Sequence, residues 1–279
     1  MADFIGRPQN NRLKILKYIY CAACCCAIMA VGCVLLTAQH TTKDQKAAEA
    51  MAAAIKALGG EENIDGIRSL ILSGTLKSNS LVKKIEIKML LPDNFLWIEE
   101  SGTVGGKIID YYGISKGEYR SAGFAGNFKR MMPPVDYRDE FNRFSCLMMG
   151  MLLKSDVPLT IASMTDSSNR FRVAKATGEQ WEIELDSMEK YPNLISYEDA
   201  VILPMKMFQD PVTKMSVVGH GDTVVVNAVT RFKDRVAIDG VMFPKTIVFE
   251  SRDITEVQLE KIQINPKLTL DDFEIPQQP

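Results

Sequence analysis

The sequence predicts a mainly β domain with a few helices (α+β), built on one curved antiparallel sheet and preceded by an N-terminal apolar helix. Three observations carry that expectation. Residues 18–38 form a run of 21 positions without a charge, after Arg7, Arg12, Lys14 and Lys17. Beyond it, apolar and polar residues alternate in short runs with the period of strands. Closely spaced turn signals separate those runs, too close for parallel crossovers of about a dozen residues or more.

The 18–38 run is long enough to cross a bilayer, which takes about 20 apolar residues, and exceeds the ~7–15-residue core of a signal peptide. Three readings stay open. The run is a retained anchor; or it is a signal cleaved near Ala38, where Leu36-Thr37-Ala38-Gln39 offers an imperfect site; or the chain is lipidated at Cys33. Ala30-Val31-Gly32-Cys33 loosely resembles a lipobox, although the apolar Val34-Leu35-Leu36 that follows argues against it. The basic residues ahead of the run hold that end in the cytoplasm. Residues 39–279 are therefore expected outside it, as one domain following an anchor or signal of residues 1–38.

With 33 basic and 35 acidic residues the chain carries no basic field for nucleic acid. Five of the six cysteines fall within residues 18–38, leaving Cys146 without a partner for a disulfide in the exported part. The Cys24-Cys25-Cys26 cluster has no second ligand pair for a metal.

The elements follow in order. Thr42 and Gln45 have capping-box spacing. Ala47, Met51, Ile55 and Leu58 then recur at helical spacing until Gly59-Gly60 ends the helix. Leu70, Leu72 and Leu76, then Ile85, Ile87 and Met89, alternate as strands do. Phe95-Leu96-Trp97-Ile98 is continuously apolar and predicts a strand covered on both faces. Lys116-Gly117-Glu118, Gly178-Glu179, Gly219–Asp222 and Asp239-Gly240 read as hairpin turns. Val257 and Leu259 share one phase and Ile262 and Ile264 the other, which predicts a bulge near Glu260 or Lys261.

A long helix over 134–153 interrupts the strands. Pro133-Pro134 suit its first turn, and Asp136, Asp139 and Glu140 its positive end. Tyr137, Phe141, Phe144, Met148 and Met151 form one stripe, while Leu147, Met149 and Leu153 make its second half apolar on other sides too. Residues 186–215, with Tyr191, Tyr197, Met205, Met207 and Phe208, read as an irregular apolar segment that packs over the sheet or lines a mouth.

No catalytic residue, metal or cofactor is expected. The two histidines, His40 and His220, sit beside the cleavage point and in a turn. Cys146 has no motif to activate it, and no phosphate loop, dinucleotide fingerprint or glycine-framed serine occurs. Acidic pairs such as Asp271-Asp272 and Glu61-Glu62 read as solvated turns. Binding features are richer. Seven of the 15 methionines cluster at 131–151 and 205–207, and methionine adapts to ligands of variable shape, although each one also serves as an ordinary core filler.

Two stretches resemble LolA-like proteins, the lipoprotein-sorting or carrier superfamily. The first joins Ala54-Ile55-Lys56-Ala57-Leu58-Gly59-Gly60 to Ile67-Arg68-Ser69-Leu70-Ile71-Leu72-Ser73-Gly74-Thr75. The second comprises Asp239-Gly240-Val241-Met242-Phe243-Pro244, Ile262-Gln263-Ile264-Asn265-Pro266 and Asp272-Phe273-Glu274-Ile275-Pro276. The resemblance implies a curved antiparallel half-barrel closed by lid helices over an acyl chain, in the bacterial periplasm, and a binding protein in place of an enzyme. The expected cavity and lid residues are Tyr137, Phe141, Phe144, Met148 and Met151 on the helix, Leu72, Ile87 and Trp97 on the sheet, and Phe208. The expected partners are lipid acyl chains or a lipoprotein, and the membrane. The alternative is a membrane-anchored structural subunit with a filled cavity, partnered by other subunits of a membrane complex.

Overall fold

The computed structural model describes residues 45–277, apart from 80, 105, 131–136, 155–158, 165–168, 203–206, 210–215, 219–222 and 252. Within 137–139, 162–163 and 199–224 the description covers backbone alone. The expected apolar helix 18–38, the cap at Thr42, the start of the long helix at 134–136 and the turn at 219–222 lie outside the described residues. Among the described residues no helix is long and apolar enough to cross a membrane. Residues Ala47–Pro279 form one compact unit.

Helix α1 covers 45–58 and buries Ala47, Ala54 and Leu58, with Met51 and Ile55 packed beside them, as the helical spacing predicts. Gly59 and Gly60 end it with positive φ of 132° and 88°. A Cβ on Gly59 would collide with the Gly240 carbonyl, so only glycine lets this corner meet the turn at 239–240. A short helix that the sequence did not announce, α2 (Glu61–Asp65), follows and buries Ile64.

The strands are β1 (Ser69–Ser78), β2 (Leu81–Leu90), β3 (Asn94–Thr103), β4 (Gly106–Ser115), β5 (Glu118–Ala125), β6 (Phe128–Arg130), β7 (Leu159–Met164), β8 (Arg170–Lys175), β9 (Gln180–Leu185), β10 (Pro192–Ile202), β11 (Met207–Gln209), β12 (Ser216–Val218), β13 (Thr223–Ile238), β14 (Val241–Glu250) and β15 (Ile254–Ile264). Thirteen of them form one open sheet in the order β6-β5-β4-β3-β2-β1-β15-β14-β13-β10-β9-β8-β7, and β11 and β12 pair separately. The pairings are antiparallel and join consecutive strands, except that β10 pairs with β13 across the β11–β12 excursion and β1 joins β15, which brings the two ends of the domain together.

The predicted bulge is present: Ser73 faces Lys261 and Gly74 faces Leu259, which leaves Glu260 as the extra residue. The bulge puts Val257, Leu259, Ile262 and Ile264 all opposite the inward set Leu76, Gly74, Leu72 and Leu70. Of the run Phe95-Leu96-Trp97-Ile98 expected to be covered on both faces, the first three are buried and Ile98 is half-buried. Phe95 and Trp97 point into the core, while Leu96, 2% exposed, lies under the 3₁₀ turn Leu270–Phe273 that packs on β3 and β4. The expectation of an irregular stretch over 186–215 is corrected. Residues 192–202 are strand β10, with Ile195 and Tyr197 inward between Ile183 and Trp181 of β9 and Thr230 and Ala228 of β13. The alternation was hidden by Leu194, which is apolar on the opposite phase.

The sheet curls strongly. Helix α3 (Tyr137–Leu152) packs on β10 and also touches β4. Those strands are seven steps apart in the sheet, about 34 Å if it were flat at ~4.8 Å per strand, whereas a helix is only ~10–12 Å across. The ring contact of Trp97 on β3 with Phe249 on β14, centroids 6.1 Å apart across four steps, requires the same bend. Outward faces carry ion pairs such as Arg172–Glu182 (2.7 Å) and Arg231–Glu250 (2.8 Å), so one face is wet and the other encloses α3.

Candidate functional site

The floor of the concave face is laid by cross-strand rows. Leu72, Ile87 and Trp97 are direct neighbours on β1, β2 and β3, as are Leu70, Met89 and Phe95, and all six are fully buried. The opposite wall is Phe171, Val173, Trp181, Ile183, Ile195 and Phe232. Between the walls lie Phe144, Leu147, Met148, Met149, Met151 and Leu152 of α3, none more than 1% exposed. The Phe144 ring stacks on Phe95 with centroids 5.0 Å apart. At Gly150 the helix backbone lies so close to the Phe232 ring that a Cβ there would overlap it.

The structure thus brings Leu72, Ile87, Trp97, Phe144, Met148 and Met151 into one core, with Phe141 partly buried against it. Tyr137 begins α3 and Phe208 lies on β11, but both side chains fall outside the description. A groove of about 980 Å³ lies elsewhere. It is lined by Arg172, Glu182, Ser196, Asn227 and Val229, with Trp181, Tyr197 and Asn142 also contributing. Register places Arg172, Glu182, Ser196 and Val229 in a single row on the face opposite Trp181 and Tyr197.

Polar contacts help hold α3 in the trough. Lys175 Nζ donates to Ser145 Oγ at 2.7 Å, both residues buried, and lies 4.7 Å over the Trp181 ring. Thr230 Oγ1 lies 3.3 Å from Cys146 Sγ, also in the interior. The Arg235 guanidinium donates to the carbonyls of Gly150, Met242 and Pro192, tying the end of α3 to β14 and the start of β10. Burial pushes Arg235 down to about 10. Lys154, just past α3, is lowered by burial and donates to the Ile64 carbonyl at 2.6 Å.

At the other end of α3 is a polar cluster that sequence reasoning missed. Trp97 Nε1 donates to Glu99 Oε1 at 2.9 Å, and Lys83 Nζ meets Glu99 Oε2 at 2.5 Å. Arg130 forks onto Asp110, which faces Glu99 across the β3–β4 pair. On α3, Arg143 donates to both carboxylate oxygens of Glu140 at 3.0 and 3.1 Å. Its guanidinium rests over Trp97 and Phe249 at 4.7 and 5.7 Å. Burial, then the carboxylates of Glu99, Asp110 and Glu140, pushes the Tyr112 phenol well up, so it stays a neutral hydroxyl. The signal was present in β3: Glu99 continues the inward phase of Phe95 and Trp97, and an inward acid needs a partner.

Among the described residues no group of His, Cys, Asp and Glu could hold a metal ion. Cys146 is buried and hydrogen-bonded, and His220 lies outside the described residues.

No protein-family model matches the chain, and no curated protein does. Among solved structures it is similar to a LolA superfamily protein from Nitrosomonas europaea, at 10% identity and a TM-score of 0.40, over 80% of this chain and 97% of that one. It is also similar to a DUF1329 family protein from Desulfovibrio piger, at 9% identity and a TM-score of 0.41, over 81% of this chain and 96% of that one.

Proposed function

We propose that the chain is a non-enzymatic, extracytoplasmic lipid- or lipoprotein-binding carrier, with α3 acting as the lid of a half-barrel. The observation that carries this reading is α3 itself. It is a helix with Met148, Met149 and Met151 fully buried, seated in an open, curled sheet. A helix that only covered a sheet would need one apolar stripe; α3 is buried on every side from Phe144 to Leu152. Lifting it would bare an apolar trough that an acyl chain can fill. Burial stabilises each methylene by ~0.8 kcal/mol, so a 16-carbon chain offers on the order of 10 kcal/mol before the costs of ordering and of displacing α3. The setting is the bacterial periplasm, with residues 39–279 as the carrier domain and 1–38 as its anchor or signal.

A second reading is favoured by one observation, the close fit of Gly150 on Phe232, which suits a permanently filled trough. The protein is then a membrane-tethered structural subunit. Native mass spectrometry of the full chain, extracted from its own membranes in mild detergent, separates the two. The carrier reading expects an added lipid mass enriched over bulk lipid. A lipid-free chain held to stoichiometric partner subunits would replace it with the second.

A further inference from the structure

Among the described residues, five of the eight exposed large apolar side chains gather at hairpin tips at one end of the sheet. Ser78 pairs with Leu81, Thr103 with Gly106, Ala125 with Phe128, and Glu250 with Ile254, closing four hairpins. Because Ser78 also faces Thr255 across the β1–β15 pair, all four turns open at the same end. Their tips carry Leu81 and Val82 (each 61% exposed), Val104 (111%), Phe128 (80%) and Ile254 (64%). The turns at the opposite end, around Asp93, Lys116-Gly117 and Asp239-Gly240, are polar or glycine, and the exposed apolar side chains there are Met188 (87%) and Leu270 (46%), the latter beside Lys116.

Lys77, Lys84, Lys107 and Lys129 are exposed beside these tips. Lys107 is paired with Glu100 at 2.6 Å, and Asp253 is the exposed acid next to Ile254. The tips of β1–β2, β3–β4 and β5–β6 follow one another at two-strand intervals, about 10 Å each, as separate fingers. A folded protein partner needs one continuous patch of roughly 800 Å² per side. A fluid headgroup layer accepts single apolar side chains, each inserted on its own with lysines at the phosphate level.

We propose that this hairpin end docks on the surface of an anionic bilayer. The inference is independent of whether the trough takes an acyl chain. The test uses the full chain reconstituted in phosphatidylglycerol-containing vesicles with brominated acyl chains. Single Val104→Trp, Phe128→Trp and Met188→Trp variants are compared with the parent, whose Trp97 and Trp181 are buried. The expected result is loss of most of the added emission at 104 and 128, and none at 188. Changing Lys77, Lys84, Lys107 and Lys129 together to Gln should restore it. No quenching at 104 and 128, or equal quenching at 188, overturns the proposal. Acyl-probe uptake measured on the same samples keeps that outcome separate from failure of the carrier reading.

Discussion

Gly150 shows how single residues set the fit of α3. Glycine inside a helix costs about 1 kcal/mol relative to alanine, so Gly150→Ala would stabilise an isolated helix. Here the added methyl meets the Phe232 ring, which is 3% exposed and has little room to retreat. Overpacking of this kind costs about 1–3 kcal/mol, so the variant is expected to be net less stable in urea unfolding, and Phe232→Leu in the same chain should recover part of the loss. Arg235 acts through polar contacts. It satisfies three carbonyls, and Arg235→Met should cost about 2–4 kcal/mol by leaving them unpaired, read as a lower unfolding midpoint. Asp186 gives a pH signature. Backbone N–H groups of Glu189 and Met188 donate to its carboxylate and hold its pKa below the ordinary 3.8. Its stabilisation is thus complete above that ordinary value and lost as pH falls through the depressed one. Asp186→Asn should remove this increment, lowering stability at neutral pH and converging with the parent in acid; an acid limb the same as the parent's would contradict the assignment.

At the scale of elements, the β15 bulge was legible because the phase change between Leu259 and Ile262 can be absorbed only by an extra residue. Its second half was not legible: Gly74 on β1 is required because a Cβ there would strike the Gln258 carbonyl, a contact set by a partner some 180 residues away in the chain. Gly74→Ala is expected to lower the melting temperature, with the amides of β1 and β15 losing exchange protection first. The core of α3 was readable from its stripe, since burial follows helical spacing. Strand β10 was not, because apolar residues on both phases imitate a greasy loop. The cluster around Glu99 was missed because its partners lie on β2, β4 and α3, and proximity of that kind is a product of the curl.

For the whole molecule, the central feature is a sheet of thirteen strands that curls without closing and holds a helix where a barrel would have its interior. The sequence announced strands, turns and an over-apolar helix. The degree of curl was legible only through the family resemblance, because twist and bulges add up over many pairings and no single segment records them. The carrier reading requires α3 to move, and the chain contains a way to stop it. Thr230 Oγ1 and Cys146 Sγ are 3.3 Å apart, joining β13 to α3. In a Thr230→Cys variant, oxidation should lock the helix to the wall, and reduction should release it. The measurement is binding of a fluorescent fatty-acyl probe by this variant, oxidised and reduced, with the parent treated identically. A mobile lid predicts uptake by the reduced protein, loss on oxidation, and an indifferent parent; equal uptake in both states, with the disulfide confirmed by mass, would contradict it.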